Sequence, residues 1–87
     1  MSFALRLGGD AVADLRHLDP WLAETVLDEL EVLSADPSQL RLDARGEAVH
    51  DFERQLAEIR HLVFLRIQLD LHRRTLTVFT IIDVPRP

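Results

Sequence analysis

The chain contains no cysteine, no lysine and no tyrosine among its 87 residues, and only one tryptophan and three glycines. Without cysteine there is neither a disulfide scaffold nor a thiolate metal site, which fits a reducing compartment, the cytoplasm. No apolar run approaches the roughly twenty residues needed to cross a bilayer, and the N-terminus lacks a charged segment followed by an apolar one, so no membrane association is expected. With lysine absent, all ten cations are arginines. The coding bias of a GC-rich genome is the plainer reason, and a demand for bidentate anion contacts is the other.

The net charge of −5 argues against a protein that simply coats nucleic acid, but the charge is unevenly spread. Residues 1–36 carry two arginines against eight acids, a net of −6, and residues 37–87 carry eight arginines against seven acids, a net of +1. Any anion would therefore meet the C-terminal half. The length suits a single domain over residues 1–87 with one core.

That core is expected in the stretch Arg60–Val84, two apolar-rich runs joined by a polar loop at His72, Arg73 and Arg74. Val63, Leu65, Ile67, Leu69 and Leu71 share one face of an extended chain, and Leu62 and Phe64 share the other with Arg66, Gln68 and Asp70. In the second run the alternation puts Leu76, Val78, Ile82 and Val84 on one face and Thr75, Thr77, Phe79 and Ile81 on the other. A tight connection makes the two an antiparallel hairpin, and apolar residues on both faces require a cover on one side.

Phe3, Leu5 and Leu7 alternate with polar or small residues up to Gly8-Gly9, a short strand. Asp10 stands where an N-cap belongs, before a short helix to about His17. Asp19-Pro20 starts a second helix whose inward stripe is Leu22, Val26, Leu30 and Leu33, with Trp21 and Leu27 on its flanks, ending at Asp36-Pro37. The segment from Pro37 to Ala48 reads as a connection. Residues 49–56 fit either a helix or a strand, and a strand is favoured because a three-stranded meander pairs every backbone group of its middle member. The fold class is then α+β, in the order β-α-α-β-β-β, a mostly antiparallel four-stranded sheet with a helical hairpin packed on one face.

No nucleophile triad, phosphate-cradling glycine loop or metal-spaced ligand set is present, so neither metal nor cofactor is expected. The suggestive set is Glu53, Arg54, Arg60, His61, Arg66, Arg73, Arg74 and Arg86, which a meander could gather on the open sheet face and its edges. RNA cleavage by a 2′-hydroxyl needs a base, cations for the pentavalent phosphorus and an acid for the leaving oxygen. His61 or Glu53 could be the base, with Arg60 beside them and Arg54, Arg66 and Arg86 as phosphate ligands. The plain alternative is that these arginines serve solubility and pair across strands with Glu53, Glu58 or Asp70.

The opening FALRLGGDAVADLRHLDPWLAETVLDELEVLSADP and the closing RHLVFLRIQLDLHRRTLTVFTIIDV resemble the RelE/ParE toxin superfamily over most of the chain. The resemblance implies a toxin-like member of a toxin–antitoxin pair, held by a cognate antitoxin. Members cleave messenger RNA on the ribosome, inhibit DNA gyrase, or have lost both activities, and all three outcomes stay open, as does a homodimer. The family's ribonucleases look to a basic residue where strand three begins, matched by Arg60 and His61, and to an Arg with a Tyr or His after the last strand. Only Arg86 matches the latter, and with no tyrosine in the chain the acid is unassigned. The antitoxin segment that the resemblance implies would find a groove between the second helix and the sheet, rimmed by Trp21 and Leu27, apolar residues that the inward stripe does not use.

Overall fold

The computed structural model describes residues 2–87. Seven elements follow in order: β1 (Ala4–Leu7), α1 (Ala11–His17), α2 (Pro20–Ala35), a 3₁₀ turn (Pro37–Gln39), β2 (Glu47–Leu56), β3 (Ile59–Asp70) and β4 (Thr75–Arg86). The sheet order is β1-β4-β3-β2, antiparallel from β4 to β2, with β1 parallel to β4 at the far edge. The expected order and class therefore hold, and residues 47–56 are a strand.

Sequence alternation accounts for the layers. The α2 stripe Leu22, Val26, Leu30 and Leu33 is fully buried, in one cluster with Val63, Leu65 and Ile67 of β3, Leu76 and Val78 of β4, and Ala48 and Phe52 of β2. Both helices lie on this side, which leaves the opposite face of the sheet open. The ends of α2 are tied down separately: near its start Trp21 meets His61 of β3, in its middle Glu29 holds His50 of β2, and near its end the Ser34 carbonyl accepts from the Phe3 N–H. Asp10 and Asp19 occupy the expected N-cap positions, but neither carboxylate caps its helix.

One departure from strict alternation decides what the open face displays. Between Arg66 and Ile67 the pairing slips by one residue: Ile67 pairs with Val78, whereas Arg66 pairs with Thr80, so Phe79 is the extra residue of a β-bulge. Beyond it every side chain of β4 changes sides. Ile81 enters the core at 5% exposure and Ile82 emerges at 51%, the reverse of the simple alternation. The bulge coincides with the end of β1, which pairs with β4 only over Thr75–Val78. Past that point the β4 edge is covered by α1: the Asp10 N–H donates to the Phe79 carbonyl at 3.1 Å, and the Ile81 N–H donates to Asp14 Oδ2 at 2.9 Å. The Asp14 carboxylate thus supplies the acceptor that a neighbouring strand would have supplied.

The 40–46 connection is held to the sheet by Gly46, whose carbonyl accepts from the Leu69 N–H at 2.8 Å. Its φ is +78°, and a Cβ there would lie 2.8 Å from the Leu69 carbonyl oxygen, so only glycine fits. Asp43 closes the same turn by accepting from the Arg45 and Glu47 N–H groups, and these bonds hold its carboxyl below the ordinary value.

Candidate functional site

The open face is read row by row from the strand register. At one end Gln55, Arg60 and Arg86 stand side by side across β2, β3 and β4; next come Glu53, Leu62 and Val84, then Asp51, Phe64 and Ile82, then Val49, Arg66 and Thr80. Arg86 is in this series because of the bulge; with unbroken pairing Arg60 would face Pro85, and Arg86 would project toward the helices.

Two arginines directly opposite each other repel, and such a pair costs stability unless an anion lies between them. Arg60 Nε lies 3.9 Å from Glu53 Oε1, a long and exposed contact worth little, and the Arg86 side chain has no hydrogen bond or ion pair among the described residues. Arg66, six residues along β3 and so about 20 Å away, meets Glu47 at 3.6 Å. Between the two ends lies an apolar stripe. Val49 is 68% and Ile82 51% exposed, and with Phe64, Arg66 and Thr80 they line a hollow of about 220 Å³. Arg41 and Arg45, passed over in the sequence because their segment has no periodicity, join Arg66 around an open depression of about 480 Å³.

Of the residues singled out from sequence, Glu53, Arg60, Arg66 and Arg86 share the open face. His61 and Arg54 are on the other one. His61 is buried at 6% exposure, with Nδ1 2.9 Å from Asp83 Oδ1 and the Trp21 ring edge-on at 5.4 Å and 80°. Because a carboxylate only accepts, Nδ1 carries the hydrogen. Arg54 reaches Glu29 at 3.5 Å and lies 5.1 Å over the Phe52 ring, and Glu29 also bonds His50 Nε2 at 2.8 Å. That cluster fastens β2 to α2. Of the two flanking residues of α2, Trp21 is 38% exposed beside His61, and Leu27 is half-buried against the core.

Asp83, Glu29 and Asp14 were not singled out from sequence. Asp83 carries the one available signal, an acid within the apolar run IIDV, which inside a strand needs a partner. No group of acids and histidines able to hold a metal occurs among the described residues, and no helix there is long and apolar enough to cross a membrane.

No protein-family profile matches the chain, and no curated protein matches its sequence. Solved structures do match. A double mutant of the E. coli toxin RelE in the free state superposes with a TM-score of 0.71 at 14% identity, covering 93% of this chain and 82% of that one. A chain of the toxin–antitoxin complex RelBE2 from Mycobacterium tuberculosis superposes with a TM-score of 0.67 at 20% identity, covering 97% and 93% respectively. The chain has the RelE-like toxin fold that the sequence resemblance implies.

Proposed function

We propose that this protein is the toxin-like component of a toxin–antitoxin pair, neutralised by a small antitoxin and acting on translation through its open sheet face. The carrying observation is the cross-strand pair Arg60–Arg86, with Glu53 one row away. Two opposed guanidinium groups with little internal neutralisation make a bidentate cradle for a phosphodiester, and they would gain most as charge builds on the pentavalent phosphorus. Glu53 takes the base role: it would accept the proton of a 2′-hydroxyl as that oxygen bonds to phosphorus and the bond to the 5′-oxygen breaks, leaving a 2′,3′-cyclic phosphate. The leaving oxygen would take its proton from water, since neither tyrosine nor lysine exists in the chain. His61 and Arg54 have no part in this reading, because both are turned toward the helices and engaged with Asp83 and Glu29. Arg66, with Arg41 and Arg45, would hold a more distant phosphate. The fold relative in complex, RelBE2, supports an antitoxin partner.

In a translating extract, the wild type should cut messenger RNA, and Glu53→Gln and Arg60→Ala should each lose at least about a hundredfold. Uncut message with wild-type protein would remove the nuclease reading. The apolar stripe of exposed Val49 and Ile82 with half-buried Phe64 beside the arginines favours a second reading, a non-enzymatic inhibitor that grips a protein such as DNA gyrase. Gyrase supercoiling that continues unchanged at micromolar protein would count against it.

A further inference from the structure

On the helix side, where β2 turns into β3 beneath the start of α2, lies a pocket of about 300 Å³ lined by Asp19, Trp21, Leu56, Ala57, Ile59 and His61. We propose that it receives an arginine side chain of a partner protein. Four features of the lining point to a guanidinium group. His61 is more than nine-tenths buried, lines the pocket and spends Nδ1 on Asp83; no described side chain bonds its Nε2, yet that atom is not sealed from solvent, and in the neutral ring it is a free acceptor. Asp19 stands at the lip with its carboxylate unused, since it does not cap α2. Trp21 offers a half-exposed indole, the best aromatic surface for a cation. Leu56 and Ile59, the latter 44% exposed, leave apolar wall for the methylene stem.

Charge favours a cation over an anion. No arginine lines the pocket, Asp83 stands behind His61, and the segment that supplies Asp19 and Trp21 is the strongly acidic one. The positive end of α2 amounts to roughly half a charge, less than the full charge of Asp19 beside it. Arginine suits the site better than lysine because its planar fork can donate to Nε2 and to Asp19 together while lying against the indole. Ala57, at the pocket wall, holds a φ of +55°, as the two-residue β2–β3 hairpin turn requires. The inference rests on the toxin–antitoxin reading only in taking the occupant to be a protein segment.

Trp21 is the sole tryptophan, so its fluorescence reports on this pocket alone. Titrating the intact protein with acetyl-Leu-Arg-Leu-amide should give a saturable change with a dissociation constant near about 1 mM. The lysine peptide should bind more weakly and the glutamate peptide not at all. Asp19→Asn, which removes no capping bond, should weaken the arginine peptide about tenfold, whereas Arg60→Ala should leave it unchanged. Lack of saturation, an equal response to the glutamate peptide, stronger binding of adenosine, or an Asp19→Asn variant that binds as well as wild type would each overturn the proposal. Single-stranded RNA affinity, measured on the same samples, separates this outcome from failure of the open-face reading, since Asp19→Asn should leave it intact.

Discussion

Removing one carboxylate from α1 should loosen the far side of β4. Asp14 Oδ2 accepts the Ile81 N–H at 2.9 Å, in a strand segment whose side chain is buried and which has no further strand beside it. In Asp14→Ala the amide keeps no acceptor, a loss of roughly 1–3 kcal/mol, offset by about 0.5 kcal/mol of improved helix propensity. A net of about 1.5 kcal/mol corresponds to a fall in Tm of about 6–12 °C for a domain of this size. Asp14→Asn keeps an acceptor but loses the charge assistance, and should fall about half as far. Thermal unfolding by circular dichroism measures both, and amide exchange at Ile81 should accelerate in the alanine variant. Because this bond helps hold the bulge that turns Arg86 to the open face, RNA affinity should fall in the same order. Equal Tm values for alanine and asparagine, or an alanine variant within about 0.5 kcal/mol of wild type, would refute the reasoning.

Further outcomes follow from the same packing. Leu30→Ala, at a fully buried position, should cost about 3–5 kcal/mol and lower Tm by well over 10 °C, as read by denaturant unfolding. Gly46→Ala forces a Cβ against the Leu69 carbonyl at positive φ and should cost about 1–3 kcal/mol, with faster exchange of the Leu69 amide. Asp43 and Asp70 are held below the ordinary 3.8, chiefly by the N–H of Glu47 and of Arg73 respectively. Their stabilisation is therefore complete above that value and is lost as pH falls through the lowered ones, so the Tm gap between wild type and Asp70→Ala should narrow in acid. His61→Phe should lower stability by about 1–3 kcal/mol, because Asp83 loses its partner, while leaving RNA affinity unchanged.

Much of the fold was legible because it rests on periodicity. The stripe of Leu22, Val26, Leu30 and Leu33 and the alternation of Val63, Leu65, Ile67 and Leu69 each repeat with the period of their element, and both are buried as expected. The faces of β4 past Val78 were not legible, since a bulge adds one residue with no compositional mark and inverts Ile81 and Ile82. The same limit applies to the site. Arg60 and His61 are adjacent in sequence, and a strand sends neighbours to opposite faces, so the basic cluster divides into an open-face set and a helix-side set. Pairings such as His61–Asp83 and His50–Glu29 join residues 22 and 21 apart, which only strand register and helix placement bring together.

The most direct test of the open face as the ligand surface is the salt dependence of single-stranded RNA binding across the arginine variants. Arg60→Ala, Arg66→Ala and Arg86→Ala should each weaken binding and reduce the slope of log K against log salt by about 0.7, the value for one phosphate contact to a single strand. Arg54→Ala, on the helix side with Glu29, should leave the slope unchanged. Equal loss from Arg54→Ala and Arg60→Ala, or no change of slope in any open-face variant, would contradict the assignment.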